Sequence, residues 1–357
     1  MITGLAVGGA EKALVDLSKE GISKGHDISI VSLTPVCGQF IERFDGRIKI
    51  IEVNLLGILG KIRAFKCFKK VVLQFRPDVI HAHMVHANIF VLVCSIFRLI
   101  NAPVVITAHS VDEGRLSFMY KFLARASDHC VHISSLGLKI YNRKGYFPSK
   151  KSSFIPNGTR IYTKSAKAMN LGNPVRFVAV GRLAPEKNYS FMIKAMQQLK
   201  SDGNPFSLSI LGDGPLRSEL EGLIISEGLS DNVKIEGVVN NVREMLELSD
   251  FFLMSSHFEG MPMSLLEACE VGLPSLVTDV GSCKEVTLGL PHCYAVRPDD
   301  ISEYVTALRS LLKVDQRGYS LGVRKIRQRA VESYSVGSSF MRLEKIYSKV
   351  APMIGGN

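Results

Sequence analysis

The chain has 357 residues, 46% of them apolar, which is more than one ordinary core holds and suits two domains. Its formal net charge is +11, and residues 1–165 hold 23 Lys/Arg against 11 Asp/Glu, so the basic excess lies in the first half. This composition excludes a disordered chain, and the apolar run Ile89–Phe97, stopped by Arg98, is far short of the ~20 residues that span a bilayer. The N-terminus lacks a basic stretch followed by an apolar one, so no signal peptide is expected. Seven scattered cysteines without a Cys-x-x-Cys pair suit a reducing cytosol, and a cytoplasmic protein is expected. For the basic half an anionic membrane surface is the favoured partner, with a solvated face as the plain alternative. Nucleic acid is disfavoured: Trp is absent and no basic motif is interleaved with aromatics.

In chain order, Gly8-Gly9-Ala10-Glu11 precedes a helix, read over Glu11–Lys24. Strands are predicted at Asp27–Leu33 and Arg47–Val53, followed by a helix at Lys61–Phe75. Short β-branched runs follow at Asp78–His83, Val104–His109 and Cys130–Ser134. A linker is expected around Asn157–Leu171. The second half repeats the pattern. Strands are predicted at Val175–Val180, Phe206–Leu211, Val233–Glu236, Phe251–Met254 and Pro274–Val277. Helices are predicted at Tyr189–Ser201, Pro215–Glu227, Val242–Leu248, Met263–Val271 and Ile301–Leu312, with a last one at Ser338–Val350. Strands alternating with helices imply two doubly wound parallel sheets, with ligands beyond the carboxyl ends of the strands. The expected domains are 1–162 and 163–332, followed by a last segment at 333–357.

Glu259 and Glu267 dominate the chemistry-bearing residues. Glu259 follows a strand inside a Gly/Pro turn, and Glu267 lies just over a turn into the helix starting near Met263. A turn of this kind aims free backbone N–H groups from the helix start at a phosphate or sugar, and the carboxylates can accept from vicinal hydroxyls. The plain alternative is a surface glutamate and an ordinary helix glutamate. Arg182 and Lys187, in Val180-Gly-Arg-Leu-Ala-Pro-Glu-Lys-Asn188, sit at another strand end, where two cations can neutralise a diphosphate. Gly212-Asp-Gly-Pro215 reads as a plain turn. Gly8 and Gly9 permit close approach of a phosphate without being a dinucleotide fingerprint. His109 ends a strand in Thr107-Ala-His-Ser110, and a lone His is more often structural than catalytic. His81 and His83 share a strand face and read as cleft lining or core. No cluster has metal-ligand spacing, and no metal site is expected.

Together these motifs resemble the family-4 retaining glycosyltransferases of the GT-B fold, the type found in bacterial cell-surface polysaccharide assembly. The resemblance runs from the glycine entry through Thr-Ala-His, Ile155-Pro-Asn-Gly158, Val-Gly-Arg-Leu and Gly-Asp-Gly-Pro to the paired glutamates and Asp279-Val-Gly281. It implies two Rossmann-like domains facing across a cleft, with the last helix of 333–357 crossing back to the N-terminal domain. It further implies transfer of a hexosyl group, with retention, from a nucleoside diphosphate sugar (UDP-sugar favoured over GDP-sugar) to a glycan or lipid-linked acceptor; because no Asp-x-Asp motif occurs in a suitable place, no obligatory divalent metal is expected. Arg182 and Lys187 would hold the diphosphate, approached by the Gly8-Gly9 backbone. Glu267 would take the ribose, and Glu259 the C3 and C4 hydroxyls of the sugar. Met263, Ser264 and Leu265 would offer N–H groups, Val238 would lie near the base, and His109 would face the transferred sugar. No separate cofactor is implied.

One departure concerns the first strand, of which only Ile2 and Thr3 stand before Gly4. A gap in the first sheet is expected there, with an apolar run upstream completing it. The alternative functions are a sugar-nucleotide epimerase on the same architecture, a non-catalytic nucleotide-sugar binder, and an NAD dehydrogenase, the last disfavoured by the missing fingerprint.

Overall fold

The computed structural model describes residues 1–5, 8–36, 38–55, 57–110, 114–163 and 171–351. The chain forms two compact units: residues 1–158 with 336–357, and residues 159–335. Unit 1 contains α1 (Gly9–Ser23), β1 (Ser29–Ser32), α2 (Gly38–Ile41), β2 (Lys49–Glu52), α3 (Gly57–Phe75), β3 (Ile80–His83) and α4 (Val85–Ile96). It continues through β4 (Val104–Ala108), α5 (Tyr120–Leu123), β5 (His129–His132), α6 (Ser135–Arg143) and β6 (Ser152–Phe154). Unit 2 begins with β7 (Val175–Val180), α7 (Tyr189–Ser201), β8 (Phe206–Leu211), α8 (Arg217–Ser226), β9 (Val233–Gly237), α9 (Val242–Leu248) and β10 (Phe251–Leu253). It ends with α10 (Met263–Val271), β11 (Ser275–Thr278), α11 (Cys283–Thr287), β12 (Tyr294–Val296), α12 (Ile301–Leu312) and α13 (Gln316–Ser333). The last helix, α14 (Val336–Val350), returns to unit 1.

The six strands of unit 2 are all parallel, in the order β9-β8-β7-β10-β11-β12. The chain builds outward from β7 in one direction, then returns to build from β10 in the other. β7 and β10 are therefore neighbours at the point where the order reverses, with Phe251 beside Phe177 and Phe252 beside Val178. The sheet and its helices bury Phe177, Ile210, Phe251, Leu253 and Leu276 in one core.

Unit 1 has a two-stranded piece, β2-β1, and a four-stranded piece, β3-β4-β5-β6, again all parallel. Ile2 bridges them, pairing with Ser32 on one side and His83 on the other. α14 packs on α1, and Leu343 and Ile346 bury against Val105 and Val131. Ser339 Oγ donates to the Pro156 carbonyl at 2.8 Å.

The unit boundaries fall at 158/159 and 335/336, a few residues from the expected 162/163 and 332/333. Thr159 to Tyr162 belong to unit 2. Thr159 N–H donates to the Tyr334 carbonyl at 2.8 Å, and Tyr162 N–H donates to the buried Glu270 carboxylate at 3.2 Å. Arg327 and Arg243 also bond Glu270. These contacts tie the stretch to unit 2, and composition does not reveal them. Residues 164–170 of the expected linker lie outside the described residues.

Candidate functional site

The neighbouring strands β7 and β10 open into two loops that carry the chief candidates. Lys187 ends a short 3-10 turn after β7, and Glu259 lies in the loop after β10. Seventy-two positions apart in sequence, they meet with Lys187 Nζ donating to Glu259 Oε1 at 2.6 Å. Their side chains are only 21% and 10% exposed. Ser256 Oγ donates to the same carboxylate oxygen at 2.8 Å.

Short hydroxyls hold the two loops to each other. Ser255 Oγ lies 2.9 Å from the carbonyls of both Lys187 and Asn188, and Thr278 Oγ1 donates to the Ser256 carbonyl at 2.6 Å. All three side chains are buried. His257 N–H donates to the Glu186 carbonyl at 2.9 Å, adding a backbone tie. Sequence reasoning passed over Ser255, Ser256 and Thr278. A Ser-Ser pair directly after an apolar strand was the available clue, because such hydroxyls readily bond nearby backbone.

Two further loops close on this pair. Gly281 has φ +55, and a Cβ there would overlap the carbonyl oxygens of Glu259 and Gly260. Only glycine lets the loop after β11 lie so close. Gly212, at φ +145, would likewise overlap the Gly181 carbonyl. The Gly-Asp-Gly-Pro turn, read from sequence as plain, is thus pressed against the loop that carries Arg182. Arg182 itself is exposed, and among the described residues its side chain makes no hydrogen bond or ion pair.

α10 starts at Met263, directly after the Glu259 loop, and Pro262 at its N-cap supplies no side-chain cap. Among the described residues nothing accepts from the first-turn N–H groups of Met263, Ser264 and Leu265, which suits an outside acceptor. Glu267, half-buried, follows on the same helix. Val238 is 75% exposed beyond β9, and the preceding Gly237 carbonyl accepts from Gly212 N–H at 2.8 Å. Burial first, and the Glu259 charge second, push the Tyr189 hydroxyl and the Cys283 thiol up. Unit 2 thus gathers two cations, a helix N-terminus and two carboxylates at the ends of its central strands. The cations and N–H groups suit an anion, and the carboxylates suit hydroxyls.

The other candidates belong to unit 1. Gly8 is the extended N-cap of α1, Gly9 is its first residue, and both are exposed. His109 follows β4, and its Nε2 lies 3.0 Å from Nδ1 of buried His83. His81 bonds Tyr347 OH at 2.6 Å and Thr107 Oγ1 at 2.7 Å. Burial depresses these imidazoles: His109 falls to about 4, and His81 and His83 lie well below their ordinary value. They are neutral hydrogen-bonding groups at pH 7. His83 was read from sequence only as lining or core, and its bond to His109 spans 26 positions that only the β3–β4 pairing brings together.

Comparison with known proteins agrees with this architecture. The model for Glycosyltransferase Family 4 matches residues 7–161, and the model for Glycosyl transferases group 1 matches residues 163–327. An Escherichia coli relative, UDP-Gal:alpha-D-GlcNAc-diphosphoundecaprenol alpha-1,3-galactosyltransferase, is 23% identical over 82% of this chain and 80% of its own. A Campylobacter jejuni relative is 26% identical over 75% of each chain. It is named as a GalNAc-alpha-(1->4)-GalNAc-alpha-(1->3)-diNAcBac-PP-undecaprenol alpha-1,4-N-acetyl-D-galactosaminyltransferase. Among solved structures, Anabaena HepE in complex with UDP superposes with a TM-score of 0.82 at 16% identity, covering 98% of both chains. The lipopolysaccharide outer core galactosyltransferase WaaB gives 0.74 at 18% identity, covering 98% of this chain and 99% of its own. The two family models meet end to end along the chain, on the fold that its parallel sheets build, and the chain belongs to the family-4 glycosyltransferases of the GT-B fold.

Proposed function

We propose that this glycosyltransferase moves a hexosyl group from a nucleoside diphosphate sugar, a UDP-sugar in preference to a GDP-sugar, to a glycan or lipid-linked acceptor in cell-surface polysaccharide assembly. The observation that carries the proposal is the Lys187–Glu259 pair, beside the uncapped start of α10 at the reversal point of a parallel sheet. In the reaction the bond between the anomeric carbon and the diphosphate oxygen breaks, and its electron pair leaves with the diphosphate. The acceptor oxygen bonds the anomeric carbon, and its proton passes to the departing diphosphate oxygen.

Arg182, Lys187 and the N–H groups of Met263, Ser264 and Leu265 offset the charge that grows on the leaving diphosphate. Gly8 and Gly9, with no Cβ, let a phosphate approach their backbone closely. Glu267 accepts from the ribose hydroxyls, Val238 lies by the base, and Glu259 accepts from the C3 and C4 hydroxyls of the sugar. Neutral His109 can serve a sugar as a hydrogen-bonding group. With two cations in this role, no divalent metal is required, and the product retains the anomeric configuration. The names of the Escherichia coli and Campylobacter relatives, with their undecaprenol-linked acceptors, support the acceptor class, and the UDP bound to HepE supports the base.

The protein works in the cytoplasm, peripheral on an anionic membrane face. Exposed Arg63, Lys66, Lys69 and Lys70 on α3, beside exposed Ile62 and Leu73, support that reading. No helix among the described residues is long and apolar enough to cross a membrane.

The test supplies UDP-hexoses and an undecaprenyl-diphosphate glycan, then follows UDP release and the mass of the extended acceptor. Transfer with an α-linkage from an α-linked donor, undiminished by EDTA, is the expected result. An isomerised donor without transfer, an inverted linkage, or loss with EDTA restored by Mg²⁺ would each overturn the corresponding part.

A further inference from the structure

The two loops that carry Lys187 and Glu259 meet a third loop of unit 2 at one point. Asn188, directly after Lys187, places its Nδ2 2.8 Å from Nε2 of His257, which stands just before Phe258 and Glu259. Both nitrogens lie against Asp299 Oδ1, at 3.1 Å from Asn188 and 2.8 Å from His257. Asp299 belongs to the loop between β12 and α12. β7, β10 and β12 are parallel, so three loops at the same end of the sheet converge on one carboxylate oxygen.

Local preference runs against this arrangement at two of the three residues. Asn188 has φ +51 and Asp299 has φ +61. Asn and Asp tolerate left-handed backbone better than other residues with a Cβ, but glycine holds it at no steric cost. Asn188 is also the N-cap of α7, where an asparagine side chain ordinarily accepts from a first-turn N–H. Here it makes no cap hydrogen bond and turns to Asp299 instead. The contacts at Asp299 are the gain set against these local losses.

The Asp299 oxygen decides whether the loops stay together. A carboxylate oxygen can accept from two donors at once, so with the His257 proton on Nε2 both His257 and Asn188 bond it. Without that oxygen the two nitrogens would face each other as donors at 2.8 Å, and one would have to withdraw. The loop beneath Asp299 is firm. Asp300 Oδ1 accepts from Glu303 N–H at 2.9 Å and so caps α12, and Arg297 bonds both Asp300 and Glu303. A withdrawal therefore falls on the loops of Lys187 and Glu259. Ser255 Oγ fixes the Lys187 and Asn188 carbonyls from the buried side, and Asp299 holds the same stretch from the exposed side.

We propose that Asp299 is a positioning residue for the transfer: by drawing Asn188 and His257 onto one oxygen, it keeps Lys187 Nζ against Glu259. Its effect on turnover rests on the role proposed above for that pair, whereas its hold on Lys187 does not.

The experiment compares Asp299→Gly, Asn188→Gly and Asp299→Asn with the unchanged chain by three readouts. These are Tm, acetylation of Lys187 by acetic anhydride with exposed Lys234 as the reference in the same peptide map, and UDP release from UDP-hexoses with an undecaprenyl-diphosphate glycan. Glycine suits both left-handed positions, so the two glycine variants should keep Tm within ~2 °C or raise it. Lys187 should nevertheless acetylate ~5-fold faster or more in both, because its contact with Glu259 opens more often. Turnover should fall by about 10-fold as the pair loses its geometry. Asp299→Asn keeps an accepting oxygen, so acetylation and turnover should stay within about threefold of the unchanged chain. Unchanged Lys187 acetylation in both glycine variants overturns the proposal. So does faster acetylation with unchanged turnover, or a loss of turnover that only tracks a falling Tm and is not rescued in Asp299→Asn. If the unchanged chain releases no UDP, the transfer reading fails, and Lys187 acetylation alone then decides whether Asp299 holds the lysine.

Discussion

Replacing Lys187 by methionine and Glu259 by glutamine, singly and together, tests whether the two side chains form one unit. They stand 2.6 Å apart and are 21% and 10% exposed, so solvent screens the pair only partly. Methionine keeps most of the lysine stem but strands the carboxylate, leaving it the Ser256 hydroxyl at 2.8 Å. That should cost ~2–4 kcal/mol. Glutamine keeps an oxygen for both donors, so Glu259→Gln should cost about 1–2 kcal/mol. The double variant has no stranded charge and should fall short of the summed losses by ~1–2 kcal/mol. For a unit of this size each kcal/mol is worth roughly 2–4 °C in Tm. The chain has no Trp, so calorimetry or circular dichroism is the assay rather than indole fluorescence. UDP titration adds a functional axis. Lys187→Met should weaken UDP by roughly tenfold to 150-fold, whereas Glu259→Gln should keep UDP affinity within about threefold while cutting turnover. Losses that add within ~0.5 kcal/mol, or a Glu259→Gln variant that loses UDP as badly as Lys187→Met, would refute the shared site.

Arg182→Ala should leave Tm within about 1 °C, since that exposed side chain bonds nothing among the described residues, yet weaken UDP by ~1.5–3 kcal/mol in calorimetric titration. Gly281→Ala places a Cβ against the Glu259 and Gly260 carbonyls at φ +55. Left-handed backbone alone costs about 1–2 kcal/mol, so Tm and turnover should fall together; an unchanged Tm would contradict the close approach. Stability should also fall with acid. Burial holds the folded pKa of His109 and of His132 at about 4, against an ordinary 6.5. Between those values the unfolded chain binds more protons than the folded one, so ΔG of unfolding drops as pH falls from about 6.5 to 4. The loss is on the order of 3 kcal/mol for each imidazole, read from urea midpoints across that range.

The parts legible in the sequence were those whose physics is local. Val175–Val180 and Phe206–Leu211 are apolar, β-rich runs between polar boundaries, and the strands lie at those residues. Tyr189–Ser201 and Met263–Val271 likewise match the predicted helices, the second entered after Pro262 and stopped at Gly272. The helix α13 went unpredicted. It is rich in Arg, Gln and Ser, with Gly318 and Gly322 breaking its helical propensity. Its buried stripe of Tyr319, Val323, Ile326 and Ala330 gains its meaning from packing on α10. At the site, strand-end position singled out Lys187 and Glu259 separately. Their ion pair was invisible until β10 was known to return beside β7, because strand order is a long-range property. The hydroxyl ties of Ser255 and Thr278 depend on the same adjacency.

Unit 1 is written in two instalments. Its first 158 residues leave the ribosome early, but α14, which covers Val105 and Val131 through Leu343 and Ile346, comes only after all of unit 2. At roughly 5–20 residues per second, synthesis of residues 159–335 takes about 10–35 s. Through that interval an apolar face of the first sheet waits uncovered on a nascent chain, while unit 2 can close its own core at once. Expression yield should therefore depend more on holdase chaperones, and on codon speed across unit 2, than the stability of the finished protein would suggest.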